Sequence, residues 1–232
     1  YRNIGRKRLS NASRASAMSF TPPRPGCRRC PRLVDLRRTC RTTYPNWHNA
    51  PVESLGSLDS RRLIIGLAPG LRGANRTGRP FTGDAAGGYL FHMLARFGLA
   101  TGTYSADADD DISLHDVRIT NAVRCLPPEN KPTPAELANC RYFLAREIAA
   151  MAYLDTILVL GRQAHDAALR CLDQRPSSVP FHHGGVHMAD YGKRRLRLVS
   201  SYHCSRYNTQ TGRLTDAMFE EAISLFATPP RK

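Results

Sequence analysis

The chain reads Leu63-Ile64-Ile65-Gly66-Leu67-Ala68-Pro69-Gly70 at the point that decides its fold. The apolar beginning predicts a buried strand, and Gly and Pro then turn the chain and present backbone N–H groups. The same order recurs where residues 196–199 lead into Ser201-Tyr202-His203-Cys204-Ser205. In an α/β sheet, such loops meet beyond the carboxyl ends of the strands, where ligands bind. The two loops therefore predict one polar site that holds a small flat molecule.

Strand and helix patterns alternate along the rest of the chain. Short apolar runs predict strands at residues 63–67, 117–123, 156–160 and 196–200. Helical spacing of apolar residues predicts helices at residues 85–97, 133–151, 162–172 and 215–226. The second helix begins with Thr133-Pro134-Ala135-Glu136, in which Thr133 is expected to cap the helix. The alternation predicts a three-layer α/β/α sandwich with a four-stranded, mainly parallel sheet.

The positive charge of the chain is concentrated near its N-terminus. The net charge is +15; residues 1–41 hold 12 Lys or Arg and one acid, whereas the remainder holds 22 Lys or Arg and 18 acids. A basic arm of this kind attracts polyanions without choosing among them. We expect residues 1–20 to form a disordered basic arm, residues 21–228 a single domain and residues 229–232 a tail.

Residues 1–17 contain five basic residues, no acid and several Ser. This composition also suits a transit peptide, a phosphate-contacting tail or an extension before Met18, and it lacks the apolar core of a secretory signal. No apolar run approaches the length that crosses a membrane, so we expect a soluble protein without a membrane partner.

Four of the seven cysteines have a spacing that suggests a shared centre. Cys27 and Cys30 are separated by two residues, and Cys125 and Cys140 by fourteen. An odd number of cysteines without a secretory signal argues against a disulfide framework. Four thiolates around one centre suit zinc or an iron–sulfur cluster, between which the spacing does not choose, and four unlinked thiols are the alternative. Cys171 is expected to be a buried structural thiol.

Two further polar segments predict surface loops. The run Asp107-Ala108-Asp109-Asp110-Asp111 is expected to be an exposed acidic loop, and His182, His183 and His187 are expected in one Gly-bounded loop. A metal site is the less favoured alternative in both, because the acidic run suggests no ligand geometry and the histidines lack a fourth ligand.

Three long motifs, in the correct order, resemble those of a known family. GLAPGLRGANRTGRPFTGD, at residues 66–84, resembles the first active-site motif of the family 5 (UDGb-type) uracil-DNA glycosylases. SYHCSRYNTQTGRLT, at residues 201–215, resembles the second motif, and TNAVRCLPPENKP, at residues 120–132, resembles the segment between them. The four spaced cysteines match the cluster ligands of families 4 and 5. The resemblance covers about residues 27–226, nearly everything except the arm.

The resemblance implies a DNA repair enzyme with a [4Fe–4S] cluster. Such an enzyme flips uracil, and other deaminated bases such as hypoxanthine, out of double-stranded DNA and hydrolyses the N-glycosidic bond, leaving an abasic site. We expect a monomer in the cytoplasm of a bacterium or archaeon, associated with the nucleoid. A family 4 enzyme is a near alternative, which the apolar Leu67-Ala68 pair disfavours. A redox protein and a non-catalytic damage binder are the alternatives from other classes.

Three side chains are candidates for holding and releasing the base. Phe81 would stack on the flipped uracil, and Asn121 would pair with the O4 and N3–H edge because an amide both donates and accepts. Core packing of Phe81 and a structural role for Asn121 are the alternatives. By its motif position, His203 would donate to the base oxygen on which negative charge develops. The other candidate substrate-binding residues are Gly66, Ala68 and Pro69.

Asp84 and Asn75 are candidates for positioning the attacking water or, for Asp84, balancing charge on the sugar. An N-cap of the following helix is the equal alternative for Asp84. Cys204 stands where the family usually has Pro after the motif His, which puts the DNA contacts of that loop in doubt more than its chemistry. Five basic residues flank the motif loops and could contact phosphates, each with a solvated surface charge as its alternative: Arg72, Arg79, Lys131, Arg206 and Arg213.

Overall fold

A computed structural model describes residues 20–229 as a mixed α/β structure. The predicted disordered arm at residues 1–20 lies outside the described residues except for Phe20, and the proposed domain limits stay predictions. The strands are β1 (Arg62–Gly66), β2 (Ala100–Thr101), β3 (Ser113–Leu114), β4 (Val117–Asn121), β5 (Thr156–Leu160), β6 (Val186–Tyr191) and β7 (Arg194–Ser201). The helices are α1 (Pro31–Thr43), α2 (Ala74–Thr77), α3 (Ala85–Arg96), α4 (Pro134–Ala150), α5 (Arg162–Cys171), α6 (Arg206–Gln210) and α7 (Asp216–Ala227), with short 3₁₀ turns at Pro128–Asn130 and Pro176–Ser178.

The central sheet contains the four predicted parallel strands and one more. Its order is β4-β1-β5-β7-β6, and β4, β1, β5 and β7 run parallel. The fifth strand, β6, is an antiparallel edge strand paired with β7. The expectation of a loop at His187 was therefore wrong, since His187 lies in β6 opposite Leu198. β6 is half-exposed and carries several polar residues, so no continuous apolar run marks it in the sequence.

Apolar residues that alternate along the strands fill both faces of the sheet. Ile64 of β1 packs into a cluster with α3 and α7, whereas its neighbours Leu63 and Ile65 pack into a cluster with α4 and α5. Each fully buried aliphatic side chain of this kind stabilises the fold by about 1.5–3 kcal/mol. The predicted three-layer α/β/α arrangement is confirmed, and the four predicted helices match α3, α4, α5 and α7.

The start of α4 forms as the sequence predicts. Thr133 accepts a hydrogen bond from the backbone of Glu136, and Glu136 accepts one from the backbone of Thr133. This capping box satisfies two backbone donors at once. Further along α4, the buried carboxylate of Glu147 pairs with Arg118 of β4 and with Arg124 just after β4. Burial alone would raise the pKa of Glu147, but the two guanidinium groups hold this pKa below its usual value.

The strand register brings the motif loops to one edge of the sheet. Gly66, the last residue of β1, lies opposite Asn121, the last residue of β4. β7 ends at Ser201, two residues before His203. Because parallel strands end at the same edge, the segments after β1, β4 and β7 meet there. Within residues 20–229, no helix is long and apolar enough to span a bilayer.

Candidate active site

A cavity of about 510 Å³ lies at the carboxyl edge of the sheet, where the motif loops meet. Its walls come from the loop after β1, the end of β4 and the loop after β7. The lining residues that carry the argument below are Ala68, Pro69, Phe81, Asp84, Asn121 and His203. The two loops singled out in the sequence therefore contribute to one cavity of a volume typical for small ligands.

Gly66 allows two of these side chains to approach each other. A Cβ atom on Gly66 would lie 2.4 Å from Oδ1 of Asn121 and 2.7 Å from Cζ of Phe81. Real Cβ atoms do not come so close to other heavy atoms, so any larger residue would push the amide or the ring aside. Gly66 is thus required for the close approach of its backbone to both groups.

Asn121 lines the cavity, and its amide has no hydrogen-bond partner in the part of the chain that the structure describes. The residue is only 4% exposed, and its side chain makes no hydrogen bond to residues 20–229. Buried polar groups are nearly always paired, and an unpaired one calls for an explanation. An amide that lines a cavity and keeps its donor and acceptor free is suited to bind a polar ligand edge.

Phe81 is buried, but it does not sit in a regular element. Its φ angle is +53°, in the left-handed region that non-glycine residues rarely adopt. The hydroxyl of Tyr104 donates to the carbonyl oxygen of Phe81 at 3.4 Å and accepts from the backbone N–H of Gly83 at 3.1 Å. The Phe81 and His203 rings lie nearly parallel, with centroids 6.0 Å apart and an interplanar angle of 23°. Tyr104 was missed in the sequence because it lies 21 and 23 residues after the two residues that it contacts.

His203 presents its ring to the cavity. The backbone carbonyl of His203 accepts a hydrogen bond from Asn208 Nδ2 at 2.8 Å, which fixes the loop. Within the described part of the chain, neither ring nitrogen has a hydrogen-bond partner. Burial lowers the pKa of His203 below its usual value, and the nearby Asp84 carboxylate acts in the opposite direction. The imidazole is therefore neutral at pH 7 and carries one N–H that is free to donate.

Asp84 caps α3, as one of its two predicted roles requires. Its Oδ1 accepts a hydrogen bond from the backbone N–H of Gly87 at 3.1 Å. The second oxygen, Oδ2, points toward the loop after β1, where a Cβ atom on Gly73 would lie 2.4 Å from it and one on Gly70 3.5 Å. Because Asp84 also lines the cavity, one oxygen holds the helix and the other remains available to a ligand or a water molecule.

Asn75 is not among the residues that line the cavity. Its side chain is buried and donates from Nδ2 to Oδ1 of Asn49 at 2.9 Å. Asn49 in turn donates to the carbonyl oxygens of Cys40 and Tyr44, near the end of α1. This chain of hydrogen bonds joins the motif loop to α1, so the placement of Asn75 does not support the predicted role in positioning water.

Arg79 is buried, in contrast to the expectation that it faces phosphates. Its guanidinium group forms a two-point ion pair with Asp110, at 2.5 and 2.7 Å, and donates to Oγ1 of Thr82 at 2.8 Å. Asp110 also accepts from the backbone of Ser105 and Ile112, and Arg79 lowers the pKa of its carboxylate below the usual value. The acidic run is therefore not simply a solvated loop: one of its carboxylates anchors the first motif.

The other four predicted phosphate contacts are exposed. Arg206 lines the cavity at the start of α6, and Arg213 stacks over the Tyr202 ring at 4.9 Å. Lys131 pairs at the surface with Glu129, an ion pair that contributes little energy. Arg72 is exposed in the loop after β1. Their placement allows contact with a large anion across the cavity entrance.

Cys204, which replaces the usual Pro, is buried against the start of α3. Its thiol lies 3.6 Å from the carbonyl oxygen of Ala86, and burial raises the pKa of the thiol to about 12. The side chain packs in the core cluster on the α3 side of the sheet. The second motif loop is thus anchored by packing even without the rigid proline ring.

The four spaced cysteines converge beside α1 and α4. Cys27, Cys30, Cys125 and Cys140 line one small cavity, packed against Leu33 and other apolar residues. The predicted convergence of the N-terminal pair with the later pair is therefore found in the structure. In the described ranges, no three His, Cys, Asp or Glu side chains are arranged as ligands of one metal ion.

Each of three of these sulfur atoms lies near an N–H donor. Nη1 of Arg37 is 3.5 Å from Cys125 Sγ, and the backbone nitrogen of Arg124 is 3.3 Å from Cys140 Sγ. Nδ2 of Asn139 is 3.7 Å from Sγ of Cys30, the N-cap residue of α1. Such donors stabilise negative charge on sulfur and oppose the effect of burial, which raises the pKa of the thiols of Cys30, Cys125 and Cys140.

Comparisons with known proteins agree with this geometry. The family model for the Uracil DNA glycosylase superfamily matches residues 53–227. A type-5 uracil-DNA glycosylase from Thermus thermophilus is 42% identical over 88% of this chain and 94% of the relative. One from Pyrobaculum aerophilum is 40% identical over 85% of this chain and 86% of the relative. A type-4 uracil-DNA glycosylase from Archaeoglobus fulgidus is 31% identical over 76% of this chain and 75% of the relative.

The type-5 relatives are thus more similar to this chain than that type-4 relative, in agreement with the apolar loop after β1. The cavity, its free amide and its neutral imidazole lie within the matched region. The chain belongs to the uracil DNA glycosylase superfamily and, within it, to the type-5 group.

Proposed function

We propose that this protein excises uracil from DNA in base excision repair as a monofunctional glycosylase, a hydrolase of N-glycosidic bonds. The observation that carries the proposal is the cavity in which the unpaired amide of Asn121, the ring of Phe81 and the neutral His203 converge. Relatives named type-5 uracil-DNA glycosylases, at 40–42% identity, support it.

The cavity suits a base that has left the helix. A base within a duplex cannot be reached, so the nucleotide is flipped into the pocket at a cost of about a few kcal/mol. Phe81 offers its ring face to the base. The Asn121 amide donates to one polar atom of the uracil edge and accepts from its neighbour, which discriminates between bases because unpaired buried groups are costly.

Bond cleavage places negative charge on the base and positive charge on the sugar. The C1′–N1 bond breaks with its electron pair remaining on uracil, while a water oxygen forms the new bond to C1′ and releases a proton. His203 donates its N–H to the base oxygen on which the charge develops. A donor of this kind is worth about 2.7–4 kcal/mol in other enzymes.

Asp84 contributes at the sugar side of the bond. Its Oδ2 faces the loop at Gly70 and Gly73 while Oδ1 stays on the α3 backbone. The carboxylate orients the attacking water or balances the charge of the sugar, and the N-cap keeps this oxygen fixed. One residue thus fills both roles that the sequence suggested as alternatives.

Double-stranded DNA is the partner that the exposed basic residues favour. Arg72, Lys131, Arg206 and Arg213 are exposed, Arg206 at the cavity itself, and they would contact backbone phosphates, which position the protein without reading sequence. We further propose that the protein acts as a monomer in the cytoplasm of a bacterium or archaeon, associated with the nucleoid.

The four convergent cysteines support a [4Fe–4S] cluster. In such a cluster each iron binds its own thiolate, whereas a tetrahedral zinc ion needs all four sulfurs about 2.3 Å from one centre. The four thiol groups that line one cavity, with an N–H donor near three of the sulfurs, support the cluster. Bound to Cys27, Cys30, Cys125 and Cys140, it would cross-link the segment before α1 to the segment after β4.

The size of the cavity supports a wider substrate range. About 510 Å³ is more than a single pyrimidine ring fills, and Leu67, Ala68 and Pro69 line one side with apolar atoms. The proposal therefore includes hypoxanthine, whose two fused rings need the additional room, and other deaminated bases.

Incubation with duplexes that carry uracil, hypoxanthine or ethenocytosine tests the function. Free base measured by chromatography, and alkaline scission at the abasic site, should appear with uracil and be absent with an undamaged duplex. Retention of the base in a stable complex would identify a damage binder, and reversible reduction without base release a redox protein. Either result contradicts the proposal.

A further inference from the structure

A second cavity, unrelated to the base-binding site, lies on the outer side of the cysteine segment. It has a volume of about 510 Å³ and runs between residues 21–29 and the outer face of α4. We call it the arginine groove, because four of its lining residues are Arg24, Arg28, Arg29 and Arg146. No acidic residue lines it. The groove therefore presents a concentrated positive charge without a counter-charge.

The arginines of the groove are not used by the fold. Among residues 20–229, none of the four side chains forms an ion pair or donates a hydrogen bond. Other arginines nearby are paired: Arg32 with Glu136, and Arg124 with Glu147. Glu136 and Glu147 thus pair with arginines outside the groove. The guanidinium groups of the groove have no such counter-charge among residues 20–229, which favours an anionic ligand.

Tyr142 orients two of these guanidinium groups. Arg29 lies over the Tyr142 ring at 4.5 Å from its centroid, and Arg146 lies 5.3 Å from the same centroid. Arg29 is also 5.2 Å from the ring centroid of Phe143. Cation–π stacking reduces the freedom of each side chain, so less entropy is lost when its planar group binds phosphate oxygens. The two guanidinium groups at this ring repel each other, and an anion bound to both would offset the repulsion.

The groove lies at a distance from the base-binding cavity. α4 begins beside Asn130, which lines the base-binding cavity, and Arg146 lies twelve residues after Pro134. At about 1.5 Å per residue, the groove is about 18 Å further along the helix. Because β4 ends at the cavity edge of the sheet and β5 begins at the opposite edge, α4 runs away from the cavity, and the groove lies toward that opposite edge.

We propose that the arginine groove binds the sugar–phosphate backbone of duplex DNA, at a point separate from the cavity that takes the flipped base. Guanidinium groups bind phosphate oxygens in pairs and carry no sequence preference. The sequence that precedes residue 18 is also basic, with five basic residues and no acid in residues 1–17. The contact would hold flanking DNA while the lesion is sought, and it does not depend on uracil excision.

The test removes two groove charges that are not adjacent to a cysteine. The variant is Arg24→Gln with Arg146→Gln, and the matched control is Lys193→Gln with Arg195→Gln, two exposed residues at the turn between β6 and β7. Both remove two positive charges. Binding to undamaged DNA is measured as a function of salt, with one duplex of about 30 base pairs and one short hairpin duplex with a stem of about four base pairs, which is about 14 Å long and shorter than the separation of about 18 Å.

We expect the groove variant to weaken binding of the long duplex much more than that of the short one. Each lost phosphate contact should reduce the slope of log K against log[salt] by about 0.9, so the two substitutions should reduce it by about 1.8. The control variant should keep the wild-type slope and the wild-type ratio of long to short affinity. Equal slopes and ratios in the groove variant and the wild type would overturn the proposal.

Other ligands for the groove are distinguished by the same proteins. Loss of binding to polyglutamate or to phosphatidylserine vesicles, with unchanged DNA binding, would assign the groove to a protein or lipid partner and overturn the proposal. Iron content is measured for each variant, and Arg146→Gln alone replaces the pair if the iron is lost. Uracil release from a short duplex is followed separately, so that a wild type without glycosylase activity would contradict the proposed function while the groove result stands.

Discussion

The hydroxyl oxygen of Tyr104 lies 3.1 Å from the backbone nitrogen of Gly83 and accepts its hydrogen bond. The same hydroxyl donates to the carbonyl oxygen of Phe81, whose backbone is held at φ +53°. Burial raises the pKa of Tyr104, so the hydroxyl keeps the proton that it donates. One side chain from a distant loop therefore holds the turn between the stacking ring and the Asp84 carboxylate.

Tyr104→Phe should reduce uracil excision without unfolding the protein. The ring keeps its stacking against Phe91, with centroids 5.1 Å apart, while two hydrogen bonds of about 1 kcal/mol each are lost. We expect kcat/KM to fall about fivefold or more. Tyr89→Phe is the matched control, since its hydroxyl bonds to Asp216 away from the cavity. Equal effects of the two variants would mean that Tyr104 does not position the site.

His203→Ala should depress base release while DNA affinity is retained. Loss of a donor to the departing base should lower kcat by about 10²–10³-fold. His92→Ala, on the exposed face of α3, is the control and should leave the rate unchanged. Single-turnover release and fluorescence anisotropy separate the rate from affinity. Equal losses in both would contradict the role of His203.

The lowered pKa of His203 predicts a pH dependence of stability. Its folded-state pKa lies below the unfolded value near 6.5, so the unfolded chain binds the proton first as the pH falls. The contribution of His203 to the free energy of unfolding should be constant well above pH 6.5 and decrease below it until folded His203 is protonated. His183, whose pKa burial also lowers, acts in the same direction. In His203→Ala, the free energy of unfolding, measured with urea, should decrease less as the pH falls below 6.5. An unchanged dependence of this free energy on pH would refute the assignment.

Asp84→Asn should slow base release and leave stability nearly unchanged, because Asn also caps helices. Asp84→Ala should in addition lose about 1 kcal/mol of stability. Thr215→Ala is the control for capping alone, since Thr215 accepts from the backbone of Met218 at the start of α7. Normal cleavage by Asp84→Asn would leave Asp84 with the cap as its only role.

Gly66→Ala should impair excision through a steric effect. The added methyl group would meet Asn121 and Phe81 at 2.4 and 2.7 Å, and displacement of reacting groups by about 1 Å can cost about 10²-fold in rate. Gly88→Ala is the control, since its nearest neighbour, Tyr104, would be at an ordinary 3.5 Å. Full activity of Gly66→Ala on uracil would show that the base does not contact this pair.

Cys140→Ser should abolish the brown colour and iron content that the proposed cluster confers, and it should lower the midpoint of urea unfolding. Cys171→Ser is the control, since Cys171 is buried in the core between α4 and α5, away from the four-cysteine cavity. A colourless wild type that contains zinc after anaerobic preparation would instead identify a zinc site.

Short-range sequence patterns correctly predicted the strands and helices that depend on neighbouring residues. The apolar runs of β1, β4, β5 and β7 and the capping box at Thr133 depend on neighbouring residues, and these elements are found as expected. β6 was missed because an edge strand needs apolar residues on one face only and receives its pairing from β7. α1 was missed because its N-cap side chain makes no capping bond.

The sequence by itself determined the sheet, its capped helices and the loops that carry Phe81, Asn121 and His203, because those depend on short-range patterns. Only the tertiary structure decided which polar side chains are free. Arg79 and Asn75 lie in the same motif as residues of the site and are equally polar. Each is instead bound to a partner distant in the sequence: Arg79 to Asp110, and Asn75 to Asn49. Among residues 20–229, no side chain pairs with the Asn121 amide, so the amide in the cavity is available to a ligand.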